Sequence, residues 1–381
     1  CVRLAGKYVH TRPFPFKAIN LIQESANRVL LQRLSIPGEV GEIQITPADI
    51  VQVVSTKTKI PPEDLMEDSL FNERRFVERL REQIVGQDVA IETVCQRVAG
   101  YKMGLLDPNK PWGVFLFVGP TGVGKTELAK NLAKLLFNDE KSLICIDGSE
   151  YKESHTLSNL IGSPLGYEGH DTGGLLTEPL LKNPHQIVLL DEFEKFHEDV
   201  RRLFLQVFDR GTLTDRRGKS VDCTHALFIM TSNIGSDKLF ELCQHGELNV
   251  DEVGQVLKPI LVESLSAELC NRFTGVVPFQ PLKKEHLPDV VVVQLNRIKE
   301  RLASQAHINL VWTPELVRHF VEMDVDLSFG MRDFCRHVDS EVVRVLKNAG
   351  CLNDRRLQGK VTLTFKDDQF GVKLLKGGSR G

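Results

Sequence analysis

Eight consecutive residues of this chain have the composition of a loop that binds phosphate. Residues 119–126 read GPTGVGKT and directly follow an apolar run at 114–118. Glycines let backbone N–H groups close around phosphate oxygens, and a helix after the loop adds its positive end. Lysine supplies charge for the β- and γ-phosphates, and threonine offers a hydroxyl to Mg²⁺. We therefore expect nucleotide binding by the loop residues Gly119, Pro120, Thr121, Gly122, Val123, Gly124, Lys125 and Thr126.

Two carboxylates stand at the end of another apolar run. Residues 187–190 are aliphatic and precede Asp191 and Glu192. At the carboxyl end of a buried strand, these acids would face the ligand crevice of an open sheet. We expect Asp191, with Thr126, to hold Mg²⁺ and Glu192 to polarise the attacking water as general base. Many buried strands end in acids, so only the combination with the phosphate loop predicts ATP hydrolysis.

A third candidate, Asn233, ends the run 228–233, which reads FIMTSN. Its amide can orient a water molecule beside Glu192. The alternative for an isolated asparagine at this place is a turn or a helix cap. The functional interpretation of Asn233 therefore depends on the two motifs above.

The elements that must position these residues alternate between strand and helix. The helix after the phosphate loop carries leucines on one face, which distinguishes the loop from an ordinary glycine-rich turn. Apolar runs without alternation are typical of strands buried on both faces of a parallel sheet. The order predicts an α/β fold, a parallel sheet flanked by helices. The predicted strands are 114–118, 143–146, 187–190, 226–231 and 275–279.

The chain becomes mainly helical beyond this predicted sheet. Apolar periodicity predicts helices at 283–304, 313–323 and 330–349. Two strands at 361–365 and 370–374, separated by four polar residues, predict a C-terminal β-hairpin. We expect a smaller, mainly helical subdomain that ends in this hairpin.

Composition narrows the classes of partner. With a formal net charge of −3 and no apolar stretch of membrane-spanning length, we expect no nucleic-acid partner and no membrane insertion. The 8 cysteines form no C-x-x-C pair, which argues against a zinc site and favours reduced thiols. We expect a reducing compartment, cytoplasmic or, in a eukaryote, the mitochondrial or another organelle matrix. The first residue is Cys1, not Met, which suggests a fragment.

Several longer segments resemble the Clp/ClpB-type AAA+ unfoldases, specifically the second ATPase module of the two-ring members. Residues 84–87 read IVGQ and resemble the segment on the adenine side, which implies a nucleotide contact for Val85. The resemblance covers nearly the whole chain and implies an AAA+ P-loop fold with a lid subdomain, ATP and Mg²⁺. Further matching segments are 160–177, 191–200, 211–215 and 231–233.

The start of the chain resembles a different part of the same family. Residues 12–22 are similar to the helix near the end of the first ATPase module. The long coiled-coil insertion of ClpB-type disaggregases is not visible between residues 34 and 60. We expect four segments, namely the remnant of the preceding small subdomain at 1–34, a linker at 35–68, the large subdomain at 69–280 and the lid at 281–381.

Two arginines gain roles from the resemblance. Asn271 and Arg272 match the family's NR segment, in which the arginine of one subunit reaches the γ-phosphate held by its neighbour. We call an arginine in this role the finger. Residues 329–332 read FGMR and resemble the second nucleotide sensor, which implies that Arg332 touches phosphate from the lid. For any isolated arginine, a surface position is the usual alternative.

Residues 166–169, GYEG, resemble the loop that lines the family's central channel. The resemblance implies that Tyr167 grips an unfolded chain, with flanking glycines that let it swing. Glu168 departs from the family's valine and predicts a weaker or more selective grip. We expect Arg216, Arg217 and Lys219 to bring positive charge to a second channel loop.

The resemblance thus implies an ATP-driven unfoldase or disaggregase, a homo-oligomeric and hexameric ring that threads unfolded or aggregated polypeptides and works with co-chaperones. A runner-up is the ATPase subunit of a Clp protease. Such subunits carry an exposed Ile-Gly-Phe/Leu tripeptide between the first nucleotide sensor and the finger, and residues 236–269 contain no such tripeptide. A third possibility is a dedicated remodeller of one assembly. A non-hydrolysing, nucleotide-gated scaffold is disfavoured, because it would lack Glu192, Asn233 or Arg272 and all three are present. A small-molecule phosphoryl transferase is disfavoured as well, because it would not need the channel and finger segments.

Overall fold

The central element of the fold is a five-stranded parallel sheet, whose strands lie in the order Leu143–Asp147 (β2), Ile187–Asp191 (β3), Leu227–Ser232 (β6), Gly113–Val118 (β1) and Gly275–Pro278 (β7). The computed structural model describes residues 1–2, 4–5, 14–34, 44–58, 62–65, 73–137, 142–162, 173–245, 250–306, 308–323, 331–350, 359–366 and 369–376. The strands are β1 (Gly113–Val118), β2 (Leu143–Asp147), β3 (Ile187–Asp191), β4 (Thr212–Thr214), β5 (Ser220–Asp222), β6 (Leu227–Ser232), β7 (Gly275–Pro278), β8 (Ile308–Trp312), β9 (Gly359–Lys366) and β10 (Gln369–Lys376).

Helices cover both faces of this sheet and form most of the remaining chain. Their bounds are α1 (Phe16–Leu34), α2 (Pro47–Thr58), α3 (Pro62–Leu65), α4 (Glu73–Arg81), α5 (Asp88–Lys102), α6 (Lys125–Phe137), α7 (Leu157–Ile161), α8 (Thr177–Lys182), α9 (Glu198–Arg210), α10 (Ser236–His245), α11 (Val250–Leu265), α12 (Ala267–Cys270), α13 (Leu287–Ala306), α14 (Pro314–Glu322) and α15 (Met331–Asn348).

Strand β1 shows why the predicted strands lack hydrophobic alternation. Val114, Leu116 and Val118 pack into the core on one face of the sheet, whereas Phe115 and Phe117 pack into the core on the other. Successive side chains of a strand point to opposite faces, and here both faces are buried. The predicted α/β fold with a parallel sheet between helices is confirmed, and each predicted strand is present with its ends shifted by at most one residue.

The C-terminal part forms its own core. Residues of α13, α14 and α15 pack on a three-stranded sheet of order β10-β9-β8. The predicted hairpin is present as the antiparallel pair β9 and β10. Strand β8 is a correction to the sequence prediction, because this five-residue strand between two helices pairs in parallel with β9. The predicted helix 283–304 is also corrected: a 3₁₀ turn occupies Lys284–His286, and α13 begins after it.

The N-terminal helices form a separate small cluster. Leu21 of α1 is buried against Val51 and Val54 of α2 and Leu65 of α3. Helix α2 lies within the segment 35–68 that the sequence analysis expects to be a linker. Among the described residues, none of the helices is long and apolar enough to cross a membrane.

Candidate functional site

Three loops meet at the edge of the central sheet where its strands end, which we call the carboxyl edge. The phosphate loop follows β1, the turn with Asp191 and Glu192 follows β3, and Asn233 follows β6. These strands are neighbours in the order β3-β6-β1. The topology therefore brings the catalytic candidates of three separate motifs into one crevice, which is the usual ligand position in an open α/β sheet.

The phosphate loop has backbone that only glycine adopts easily. Gly122 and Gly124 have φ of +77° and +103°. A Cβ on Gly124 would meet no atom within 4 Å, so the loop is open to a ligand there. A Cβ on Gly119 would lie 2.6 Å from the Phe279 carbonyl oxygen, so this glycine permits close packing against the chain after β7. The loop leads into α6, whose N-terminus favours anions.

Lys125 is buried at the centre of the crevice, with 8% of its surface exposed. Its ammonium group donates to the carbonyl oxygens of Gly119 and Pro120 and, at 2.8 Å, to Asn233 Oδ1. Burial lowers the pKa of the Lys125 ammonium to about 8, and the negative charges of Glu194, Asp191 and Glu192 oppose that shift. The lysine is thus a cation held in place by fixed acceptors and balanced by nearby carboxylates.

Thr126 and Asp191 provide oxygen ligands of the kind that Mg²⁺ prefers. Thr126 Oγ1 lies 3.5 Å from both carboxylate oxygens of Asp191. The Thr231 hydroxyl donates to Asp191 Oδ1 and fixes the carboxylate from the side of β6. A hydroxyl and an oriented carboxylate on facing elements fit a magnesium ion that also binds phosphate.

Glu192 is one of two non-glycine residues with positive φ in the described chain, at φ 53° and ψ 53°. Its N–H donates to Thr231 Oγ1 at 3.0 Å. Its carboxylate accepts from Lys195 Nζ at 2.6 Å and Ser149 Oγ at 2.8 Å. Lys195 and then Ser149 lower the pKa of Glu192, so its carboxylate is ionised at neutral pH. Left-handed backbone at a non-glycine residue is common in active sites.

Glu194 is a site residue that the sequence interpretation missed. Its Oε1 accepts the Asn233 N–H at 3.2 Å, and its Oε2 is buried with no protein partner. The carboxylate also leads the charges that raise the pKa of Lys125. The available signal was the matching segment 191–200, in which this glutamate stands two residues after Glu192.

The C-terminal part closes the crevice from the side of the phosphate loop. The Met331 N–H lies 3.4 Å from the Gly122 carbonyl oxygen, which places exposed Arg332 at the first turn of α15 beside the loop. Arg297 of α13 forms a 2.8 Å ion pair with Glu127, the residue after Thr126.

The adenine-side candidate lies at the same junction. Val85 packs against the core of the C-terminal part. The neighbouring Gln87 is buried, and its amide donates to the carbonyl oxygens of Val123 at 3.2 Å and Gln280 at 2.9 Å. Gln87 Oε1 also accepts the Gln280 N–H at 3.0 Å. This side chain therefore fixes the phosphate loop to the start of the C-terminal part.

Arg272 is not in the crevice. The Thr274 N–H bonds the carbonyl oxygen of Val114, at the beginning of β1, so Arg272 lies at the edge of the sheet where strands begin, the amino edge. Strand β1 has six residues and spans roughly 20 Å at about 3.3 Å per residue. That length separates Arg272 from the phosphate loop of its own chain.

Tyr167 and Glu168 lie outside the described residues, but the two ends of their segment are described. The N–H groups of Leu175 and Leu176 donate to the carbonyl oxygens of Asn159 and Leu160, at 2.8 and 3.1 Å. The described residues on the two sides of this segment are therefore joined by backbone hydrogen bonds.

The expectation that Arg216, Arg217 and Lys219 all bring positive charge to a second channel loop needs correction for Arg217. Arg217 pairs with the buried carboxylate of Asp215 at 3.1 Å and with Glu178 at 3.4 Å. Its charge is therefore neutralised within the chain, which leaves Arg216 and Lys219 as the positive candidates of the expected second channel loop.

Known families match the two main parts of this structure. Residues 110–276 match the profile described as "AAA domain (Cdc48 subfamily)". Residues 282–367 match the "C-terminal, D2-small domain, of ClpB protein". The first match spans the central sheet from just before β1 into β7, and the second spans the C-terminal part. An AAA domain implies nucleotide binding.

Curated relatives agree with these profiles. "Chaperone protein ClpB" of Chlamydia trachomatis is 41% identical over 358 residues, which is 93% of this chain and 40% of the relative. The protein of the same name from Chlamydia caviae is 40% identical over 330 residues, 86% of this chain and 38% of the relative. "Chaperone protein ClpB3, mitochondrial" of Oryza sativa is 38% identical over 325 residues, 84% and 33% respectively. The chain spans about two fifths or less of these relatives, and it belongs to the ClpB-type family of AAA+ ATPases.

Proposed function

We propose that this chain is the ATP-hydrolysing part of a ring-forming chaperone that unfolds or disaggregates proteins. The observation that carries the proposal is the juxtaposition of Lys125, Asp191, Glu192 and Asn233 in one crevice, while Arg272 lies at the opposite edge of the sheet. The first four residues suit ATP hydrolysis. The position of Arg272 suits a contact with the nucleotide of a neighbouring subunit.

The residues of the crevice divide the work of hydrolysis. Lys125 binds the β- and γ-phosphates, and Thr126 and Asp191 would hold Mg²⁺, which neutralises phosphate charge when bound. The ionised carboxylate of Glu192 accepts a hydrogen bond from the attacking water and draws its proton. Asn233 orients that water from the neighbouring strand. Arg332 contacts phosphate from the first turn of α15, so closure of the C-terminal part follows the state of the nucleotide.

A homo-oligomeric ring, most simply a hexamer, completes the site. A guanidinium that stabilises charge on the transferred phosphoryl group is worth a factor of about 10³ to 10⁵ in rate. Since roughly 20 Å of β1 separates Arg272 from its own phosphate loop, the arginine serves the subunit next to it. Hydrolysis then depends on assembly.

The ring would use the energy of ATP hydrolysis to thread a polypeptide through its central channel. The described residues that flank segment 163–172 are joined by the hydrogen bonds of Leu175 and Leu176, and the family resemblance assigns the gripping role to Tyr167 of that segment. An aromatic side chain grips polypeptides of varied sequence because it offers contact area without demanding a particular partner. We propose unfolded or aggregated polypeptides as substrates and co-chaperones as further partners, in bacterial cytoplasm or an organelle matrix.

The proposal is tested by the ATPase rate per subunit at increasing protein concentration, with and without an unfolded polypeptide. Wild type should become faster per subunit as it assembles and faster again with polypeptide. Glu192→Gln should bind ATP without turnover. Tyr167→Ala should keep basal turnover and lose stimulation, whereas Tyr167→Phe, the matched control, should keep both. A rate per subunit that ignores concentration and polypeptide would contradict the proposal.

A further inference from the structure

The finger candidate Arg272 has a carboxylate partner inside its own chain. Arg272 Nε lies 2.5 Å from Oδ1 of Asp209, near the end of α9. Among the described residues, no other carboxylate forms an ion pair with this arginine. The contact is made by the nitrogen nearest the main chain, so the terminal amino groups of the guanidinium lie further out on the side chain.

The exposure of this pair argues against a mainly stabilising role. The side chains of Arg272 and Asp209 are 38% and 35% exposed. Ion pairs that are this exposed contribute little to the free energy of folding, because water screens them and two side chains must be ordered. What the contact does supply is direction, since it restricts a long, flexible side chain to one orientation.

Helix α9 connects the two edges of the sheet. It begins shortly after the turn that holds Glu192 at the carboxyl edge, and its 13 residues span about 20 Å, which matches β1. Gly211, directly after the helix, packs against the carbonyl oxygen of Asn109 in the turn before β1. The end of α9 that carries Asp209 therefore lies at the amino edge, beside Arg272.

The same helix also braces the chain before the finger. Arg201 Nη1 donates to the Ser264 carbonyl oxygen at 3.1 Å, and Arg201 Nε is buried with no partner. Two residues later, Ser266 has φ of +79°, and its hydroxyl accepts the Leu269 N–H at 3.4 Å. The short helix α12 that leads to Arg272 thus starts from a constrained turn held by α9.

The buried face of α9 makes it rigid. Val200, Phe204 and Val207 have no exposed surface and pack in the core with Phe193, which lies directly after Glu192. The rings of Phe193 and Phe204 are in edge contact at 6.4 Å. Close-packed interiors transmit displacements rather than absorb them. A movement of the Glu192 turn therefore carries α9 with it.

We propose that Asp209 is the positioning residue of the finger and that α9 links the hydrolytic turn of one subunit to the arginine that this subunit offers to its neighbour. The inference rests on the proposed function of Arg272 as a finger acting on the next subunit. Asp209 acts through Arg272 and touches no nucleotide of its own chain. Its removal should therefore impair the neighbour's site and leave its own site intact.

The test uses mixed rings. Asp209→Asn alone should lower kcat for ATP about tenfold, less than Arg272→Ala, because the arginine remains but is misdirected. ADP affinity should be unchanged. Mixed with Glu192→Gln, which is inactive but has an intact finger, each Asp209→Asn subunit beside such a finger should regain the wild-type rate. Glu198→Gln, which removes an exposed ion pair from the other end of α9, is the control and should match wild type.

The outcomes distinguish a wrong role for Asp209 from a wrong role for Arg272. A rate for Asp209→Asn equal to wild type, or a loss that Glu192→Gln subunits do not restore, overturns the inference. If Arg272→Ala mixed with Glu192→Gln also fails to recover, the proposed finger itself is wrong; if that pair recovers, only the role of Asp209 is wrong. If Asp209→Asn does not assemble, Asp209→Glu replaces it, because this variant keeps the charge but shifts it by one methylene. A wild-type rate for Asp209→Glu, or a loss that Glu192→Gln subunits do not restore, likewise overturns the inference.

Discussion

The ammonium group of Lys125 lies 2.8 Å from the amide oxygen of Asn233, so the phosphate loop after β1 and the end of β6 share one hydrogen bond at the centre of the crevice. The Asn233 N–H is held in turn by Glu194 at 3.2 Å. Three loops from three strands are thus joined through one asparagine, and each of them carries a residue with a proposed role in hydrolysis.

Replacing Asn233 by alanine should lower kcat for ATP about a hundredfold while ADP affinity changes little, as expected when one oriented polar group is removed from a transition state. Lys125 would keep its two carbonyl acceptors, so the loop itself should survive. Steady-state kinetics and ADP titration measure the two effects. Asn109→Ala, in an exposed turn before β1, is the control. A large loss of ADP affinity with unchanged kcat would contradict this role.

Nucleotide binding should take up a proton at high pH. In the free protein, burial lowers the pKa of Lys125 to about 8, so the lysine is largely neutral at pH 9. Phosphate oxygens favour the ammonium form and raise that pKa. Binding at pH 9 should therefore take up most of a proton, and affinity should fall as pH rises through 8. Calorimetry with ADP in two buffers of different ionisation enthalpy measures the uptake.

The internal control for that measurement is pH 6.5, where Lys125 already carries its proton and uptake by this group should be close to zero. Equal proton uptake at both pH values, or an affinity that is flat between pH 7 and 9, would show that Lys125 titrates in its ordinary range.

Glu194→Gln should move the same titration to lower pH. Glu194 is the leading negative charge that opposes the burial effect on the pKa of Lys125, and the amide removes that charge. The pH at which half a proton is taken up should fall, and kcat should fall because the Asn233 N–H loses a charged acceptor. Glu198→Gln leaves the crevice intact and should not move the midpoint. An unchanged midpoint in Glu194→Gln would remove this carboxylate from the site.

Gln87→Ala should reduce the free energy of unfolding by about 1–3 kcal/mol, because buried backbone groups of Val123 and Gln280 lose their hydrogen-bond partners. Chemical denaturation measures the loss. Gln83→Ala removes the same type of side chain from a half-buried position nearby and is the control. If both variants have wild-type stability, the buried amide of Gln87 does not join the two parts of the structure.

The sequence predicted the sheet of the large α/β part well because its strands are buried on both faces and read as unbroken apolar runs. Strand β8 was missed for a different reason. Ile308 and Leu310 are buried with exposed Asn309 between them, but this alternation is lost at Val311, and so short a pattern between two helices does not identify a strand. Its pairing with β9 joins residues about fifty positions apart, and no local pattern reports such contacts.

Site residues that belong to a sequence motif of fixed spacing could be predicted, whereas residues that join the site only through a tertiary contact could not. Lys125 and Thr126 belong to a loop whose residues act together, so the motif identifies them. Glu194 and Asp209 act on residues brought near by the fold, Asn233 and Arg272, at separations of 39 and 63 positions along the chain. Their types are common on any surface, and only the tertiary structure distinguishes them.

The central claim is that the catalytic site is shared between subunits, and mixing two inactive variants tests it most directly. Glu192→Gln lacks the base but offers Arg272, and Arg272→Ala lacks the finger but keeps Glu192. Each alone should hydrolyse ATP at least about a hundredfold more slowly than wild type. Mixed in equal amounts, they should recover a substantial fraction of the wild-type ATPase rate, because some interfaces combine an intact Glu192 with an intact Arg272. No recovery in mixed rings of confirmed assembly would contradict the shared site.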